Sequence, residues 1–366
     1  MKLGFLIVIN IISGKIFWML YFTFIRYFSQ NLIRYLNEIL INLHSSSKME
    51  SSTLKYAMTI LAFVVYIVSL IFSYLNSLSG MGGNKNETNE TALGGLYLNT
   101  IRELSDKYES NIQPANWTFG VIWPIIYLWN AVGAFYMIVA LCLKEEDSPT
   151  VREKPLIPPV TLIFWCLSWS TSVAWIFAND REILGLAMFF ILAACWVTYA
   201  GLAFSYRSYY PEVEELKAQN PKLLWLVRII FHNGYAILAT WLTCAWKLML
   251  ATVITYKGSM GSPVAELNGS LTAEDAGTIS LVILLLEIIV WFVLENFVFE
   301  KYCRYTLTIY PTLVFALIGA LVGNYVSPFS RNMYLSLTGL ILSILALIAR
   351  TVLVAYRHRN GKVDVA

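Results

Sequence analysis

Lys247 and Glu287 are ionisable residues set deep in two apolar runs, 231 to 256 and 278 to 298. Charges at such depth need partners. Lys247 lies nine residues before Tyr256, and Glu287 lies nine residues after Thr278. At a rise of about 1.5 Å per residue both sit about 13 Å below one membrane surface. The two are expected to pair. The pair would either fix helix register or serve as a proton or substrate relay. Toward the other face, Arg228 and His232 share a helical side at i and i+4, and Glu295 and Glu300 descend toward the same depth. Interfacial salt bridges are expected there. With three His in the chain, two of them in polar flanks, neither a metal centre nor an acid-base pair can be assembled. No phosphate-cradling glycine loop, nucleophile elbow or zincin motif occurs. An enzyme is not expected, and no cofactor or metal is implied.

Twelve Trp form the other constellation. One cluster runs Pro114, Trp117, Gly120, Trp123, Pro124, Tyr127 and Trp129 along a single apolar segment. Trp117 and Trp123 are six residues apart and do not share one helical face cleanly. Gly120 would permit close backbone approach, and Pro124 frees a carbonyl that a neighbour must satisfy. Read alone, the cluster describes a kinked, well-packed helix.

The elements that must position these groups are membrane helices. Of 366 residues, 58% are hydrophobic and 13% charged, with a mean hydropathy of +0.62. A water-soluble globule cannot hide so much apolar surface. A formal charge of +3 argues against a nucleic-acid partner. The five Cys lie in or beside apolar runs without metal-like spacing and read as small core residues.

Eight runs are long enough to span a bilayer core of about 30 Å, which takes about 20 residues. They are 57 to 77, 117 to 143, 158 to 178, 183 to 204, 231 to 256, 278 to 298, 305 to 326 and 333 to 356. The fold class is therefore all-α, a polytopic membrane helix bundle. A ninth run, 4 to 25, reads as an uncleaved anchor or a poor signal peptide; residues 1 to 48 could equally be an upstream extension, with Met49 as the start. The Lys and Arg of short loops place both ends inside, with Arg207, Lys217, Lys222, Lys301, Arg304 and Arg357 on the inner side. The sequons at Asn86, Asn89 and Asn268 then fall outside, favouring the endoplasmic reticulum or plasma membrane over the mitochondrial outer membrane. The outward loop 78 to 113 carries Leu96, Ile101, Leu104 and Tyr108 at roughly helical spacing, so it is either a solvated loop or a short helix folded back as a lid. The charged connectors Glu145 to Glu153 and Pro211 to Lys222 read as solvated linkers.

The series PxxWxxGxxWxxxY from Pro114 to Tyr127 resembles the second helix of the translocator protein family, also called tryptophan-rich sensory proteins. The likeness continues in order through Ser172, Trp175 and Phe177, then Trp241, Ala245 and Leu248. That last set is similar to the family's WxxxAxxLN signature, with Met249 in place of the Asn and Lys247 intruding. It covers roughly residues 57 to 256, so residues 49 to 256 form the family-like five-helix domain. Residues 257 to 356 add three helices without counterpart, and residues 357 to 366 form an inner tail. The resemblance implies an aromatic-lined cavity that binds a sterol or tetrapyrrole, for sensing or trafficking. Trp123, Trp175, Trp241, Ala245 and Leu248 would line it, and Trp117, Gly120 and Tyr127 would shape its mouth. The competing reading is a transporter or channel with a path through Lys247 and Glu287. The partners implied are membrane lipid and the ligand, with homodimer formation left open.

Overall fold

The computed structural model describes residues 48–79, 96–99, 101–262, 267 and 269–360. The N-terminal run 4 to 25 and the sequons Asn86, Asn89 and Asn268 lie outside the described residues. Among the described residues twelve α-helices follow in order: α1 (Lys48–Ser79), α2 (Ile101–Lys107), α3 (Asn116–Val139), α4 (Pro159–Asp180), α5 (Leu184–Tyr209), α6 (Val213–Gln219), α7 (Pro221–Leu226), α8 (Asn233–Thr255), α9 (Ala273–Val293), α10 (Glu300–Cys303), α11 (Ile309–Gly323) and α12 (Arg331–Arg359). Two π-helical turns interrupt the series, Val227–His232 leading into α8 and Leu294–Val298 ending α9.

Seven helices among the described residues are long and apolar enough to cross a bilayer, so this is an integral, multi-pass membrane protein. Expectation and structure differ at 305 to 326. Only Ile309–Gly323 is helical there, 15 residues or about 22 Å at the α-helical rise. The preceding turn is held open because Asn233 Oδ1 accepts from the Leu307 amide at 2.7 Å and the Asn233 carbonyl accepts from Thr308 Oγ1 at 2.9 Å.

The helices are sorted by what they show to lipid. On α1, Ile60, Val64, Val68 and Ile71 form an exposed apolar stripe, while Thr59, Ala62, Tyr66, Ser69 and Ser73 turn inward. On α12 the buried side is Ser336, Gly339, Ser343, Ala346 and Arg350, and the exposed one Ile341, Leu345, Ile348 and Val352. Small and polar residues face protein because lipid already satisfies the large apolar ones, and small side chains let helices approach. Helix α4 is the most enclosed, packed between α1 and α5.

Helices α9, α11 and α12 are not a detached unit. Helix α11 packs on both α3 and α8 and contributes Ala316 to the main core. A Cβ on Gly319 would lie 2.5 Å from Thr118 Oγ1 of α3, so any larger residue there would push α11 away. Asn324 Nδ2 donates to the Gln113 carbonyl at 2.8 Å, and the Ala115 amide donates to the Gly319 carbonyl at 2.9 Å.

The connectors expected as solvated linkers are packed instead. Glu212 is buried and accepts from Arg152 at 3.5 Å, while Val213 and Leu216 join Leu156, Leu223 and Leu224 in a second core at the inner end. Apolar residues scattered among the charges were enough to fold the segment down as α6 and α7.

The described part of the segment between α1 and α3 is clamped as well. Asp180 at the end of α4 accepts from the Leu98 and Asn99 amides, each at 2.8 Å. Leu104 and Tyr108 of the α2 region are buried against Leu184. Lys107 and Tyr108 both donate to Glu182. Glu182 itself sits at φ 59°, the left-handed position that closes the C-terminus of α4. Burial raises its carboxyl pKa, but the Lys107 and Tyr108 hydrogen bonds outweigh it and hold the group below the usual carboxylate range.

A depressed folded-state pKa means that the stabilisation is present above the unfolded value near 4.3 and lost as pH falls through the folded one. Amide exchange over residues 98–108 should therefore be protected at neutral pH and released in acid. Because Lys107 is half exposed, Glu182→Gln should cost only about 0.5–1 kcal/mol, a few-fold faster exchange at neutral pH, and should flatten the pH dependence. Equal protection in both proteins at neutral pH would show that Asp180 alone holds the loop.

Candidate functional site

The main core is built from aromatic rings on α1, α3, α4 and α8. Trp165, Trp169, Tyr66, Tyr235, Phe231 and Trp241 are all at most 2% exposed. Two arrays can be distinguished. In the inner one, Trp165 lies 5.0 Å from Tyr235 and 5.5 Å from Phe231, and Trp169 meets Tyr66 edge to face at 4.8 Å. In the outer one, Trp123 stacks on Tyr127 at 5.3 Å, meets Trp241 edge to face at 6.2 Å, and lies nearly parallel to Trp175, at 22° and 6.4 Å. Tyr127 joins the arrays through Trp169 at 6.0 Å. These separations span the range of about 4.5–7 Å in which aromatic pairs attract.

Backbone detail fixes the positions. Gly234 lets α8 approach α3 until a Cβ would lie 2.6 Å from the Trp129 ring. Trp129 Nε1 then donates to the Ile229 carbonyl of the π turn at 3.0 Å, and Asn130 Nδ2 to the Gly234 carbonyl at 2.9 Å. Tyr66 OH donates to the Tyr127 carbonyl at 2.5 Å, tying α1 to α3. At such a seam the π turn supplies carbonyls that no α-helical bond has claimed.

Of the candidate ligand residues, the structure brings Trp123, Tyr127, Trp175 and Trp241 together, with Ala245 packed beside them. It places the others elsewhere. Leu248 packs with Ile112, Ala251, Ala276 and Leu281, facing α9. Trp117 and Gly120 lie on the exposed side of α3, Trp117 against Phe315 of α11 at 5.6 Å. The close approach expected at Gly120 is not made, since a Cβ there would meet nothing within 4 Å. Three steps of 100° leave Gly120 about 60° from Trp123, and with Trp123 itself only partly buried that offset turns Gly120 to the exposed side of α3.

Four indole donors in these arrays stand out: the Nε1 atoms of Trp165, Trp169, Trp175 and Trp241 are buried without a hydrogen-bond acceptor. A donor left in that state costs about 1–3 kcal/mol. Sequence reasoning selected Trp175 and Trp241 but missed Trp165 and Trp169. The i, i+4 spacing of those two on α4 was the available signal.

No family model, curated protein or solved structure matches the chain. What can be said of the site therefore comes from its own geometry.

Two cavities open elsewhere. One, about 970 Å³, is a polar vestibule at the outer end, between the loop before α3, the start of α9 and the end of α11. The other, about 40 Å³, lies at the inner end beside Arg228.

Lys247 donates to Glu287, joining α8 to α9. Lys247 is 2% exposed and its ammonium lies over the Trp246 ring at 3.7 Å, whereas the Glu287 side chain is 40% exposed. The pair thus sits at the edge of the bundle. The inner charges differ from expectation. Glu295 and Arg350 pair with each other at 3.2 Å, essentially fully buried; Tyr310 OH adds a bond to Glu295 at 2.7 Å, and Arg350 also donates to Asn296 Oδ1 at 3.1 Å. Glu300 pairs with Arg304 and Arg357. That leaves Arg228 and His232 without either glutamate. His232 bonds Ser205 Oγ at 2.9 Å, and Arg228 is met by aromatic faces. The π turn ending α9 explains the change, since it rotates Glu295 toward α12, where Arg350 stands.

If Lys247 and Glu287 act as a clamp, breaking the pair leaves one charge uncompensated, and removing both restores an apolar contact. Glu287→Leu, which strands the buried ammonium, should lower thermal stability in detergent by about 3–5 kcal/mol. Lys247→Leu, which strands the more exposed carboxylate, should cost less. The double leucine variant should recover most of the loss; strictly additive losses would show that the two do not act as a pair.

Proposed function

We propose that this multi-pass protein binds a flat, hydrophobic ligand of the sterol or tetrapyrrole class within its aromatic core, as part of sensing or trafficking. One observation carries the reading: four buried indole N–H groups without acceptors stand around rings that already offer stacking faces. A ligand with a polar atom on a fused-ring body would satisfy a donor while replacing ring contacts with ring contacts. Trp123 is the least buried of the outer indoles, and its near-parallel pairing with Trp175 sits at the wide end of the stacking range. Parting those two rings is the least disruptive way to admit a planar guest. The ordered series Pro114, Trp117, Gly120, Trp123 and Tyr127, with Trp175 and Trp241, supports kinship with the translocator protein family. The sequons at Asn86, Asn89 and Asn268 support a membrane of the secretory pathway.

Titrating purified protein with cholesterol and with protoporphyrin, read by Trp fluorescence quenching, tests this. Saturable binding of one ligand is expected. Trp241→Phe keeps a ring but removes the donor and should weaken binding about tenfold, matching a lost hydrogen bond of about 1.4 kcal/mol. Trp196→Phe, at a position 67% exposed, should leave binding unchanged. Absence of saturable binding by both ligands, or equal effects of the two substitutions, would remove the assignment. Solute movement in liposomes that stops in Glu287→Gln would favour the transporter instead.

A further inference from the structure

At the inner end of the bundle, four cations and one carboxylate line the small cavity between α5, α6, the π turn before α8, and α10. Lys217 is paired with Glu214 at 2.7 Å and Arg304 with Glu300, while among the described residues Arg228 and Lys301 meet no carboxylate. Arg228 is 5% exposed. Its guanidinium lies over the rings of Tyr305 at 4.0 Å, Trp225 at 4.7 Å and Tyr209 at 5.7 Å, and its Nε donates to Tyr209 OH. Lys301 is 5.3 Å from the rings of both Tyr210 and Tyr302. Aromatic faces favour a cation without neutralising it, so two net positive charges are held at one cavity wall.

The geometry points to a phosphate-ester site here, with Arg228 as the buried ligand and Lys301 as the second cation. Size and shape agree. A cavity of about 40 Å³ has room for about three water-sized spheres, which suits a phosphate group and excludes a fused-ring ligand. A planar guanidinium held by its Nε keeps its outer N–H groups for a tetrahedral anion. The position also fits a lipid. Trp225, Leu226 and Ile229, on the same turns as Arg228, are 38–52% exposed on the apolar flank, where acyl chains would lie beneath a headgroup. The shared chemistry is a phosphate monoester; a lipid headgroup and a soluble phosphate are its two sources.

The inference is independent of the aromatic core. Full-length protein in phosphatidylcholine nanodiscs, with and without phosphatidic acid, would be melted and analysed by native mass spectrometry. A parallel series would titrate inorganic phosphate into the phosphatidylcholine discs. Phosphatidic acid should raise the melting temperature and be retained in the gas phase. Arg228→Gln should weaken retention about tenfold and Lys301→Gln by less, on the scale of one lost charged hydrogen bond. Arg228→Lys, which keeps the charge, should fold normally and recover part of the effect. Lys222→Gln, an exposed cation outside the cavity, should change nothing. A melting shift with inorganic phosphate alone, abolished by Arg228→Gln, would assign the site to a soluble phosphate. No shift with either probe, or an equal loss in Lys222→Gln, would overturn the site.

Discussion

A polar group inside a bilayer has only its own chain to bond with, and this requirement shapes the molecule more than apolar burial does. Lipid rewards an exposed Ile as well as a buried one, so the apolar residues of α1 and α12 do not choose their neighbours. The polar ones do. Ser69, Thr240 and Thr252 each turn their hydroxyl back onto a carbonyl four residues earlier, while Thr243 does so and also bonds Tyr199 OH of α5 at 2.7 Å. Asn130, Asn233, Asn324 and Asn332 bond across helices instead, and they define which helices meet. Removing their partners would leave amide groups facing hydrocarbon.

The two π turns belong to the same logic. Each widens one turn and releases backbone carbonyls, and each stands where a charged side chain must be seated. Val227–His232 brings Arg228 among Tyr209, Trp225 and Tyr305, while its freed Ile229 carbonyl receives Trp129. Leu294–Val298 brings Glu295 and Asn296 to Arg350. A straight α-helix would advance these residues by 100° a step and send part of each set toward lipid. The irregular turns are thus the means by which charges enter the bundle with partners.

Legibility from sequence followed the same division. The membrane class and seven of the spans were readable because hydropathy over about 20 residues is a strong signal. The partnership of Lys247 and Glu287 was readable because both depths could be counted from helix ends. The pairing of Glu295 was not, since a π turn shifts the register by one residue and nothing in LENFV announces it. Leu248 and Gly120 were placed by likeness to a pattern; helical phase alone would also have kept Leu248 on the side of Trp241, seven residues away, and its packing against Ile112, Ala276 and Leu281 depends on neighbours the pattern did not contain. Trp165 and Trp169 went unselected because the pattern did not contain them. Folding of the charged connectors depended on Val213 and Leu216 meeting Leu223 and Leu224, a tertiary event invisible to local composition.

Helices α9, α11 and α12 brace the aromatic bundle. Helix α11 lies across α3 and α8, the helices that carry Trp123 and Trp241, and Gly319 seats it directly against Thr118. Phe315 meets Trp117 edge to face at 5.6 Å, adding a further contact between α11 and α3. Asn233 locks the other end of α11 to the start of α8. Bonded at both ends, α11 acts as a back wall that holds α3 and α8 in register beside the indole core.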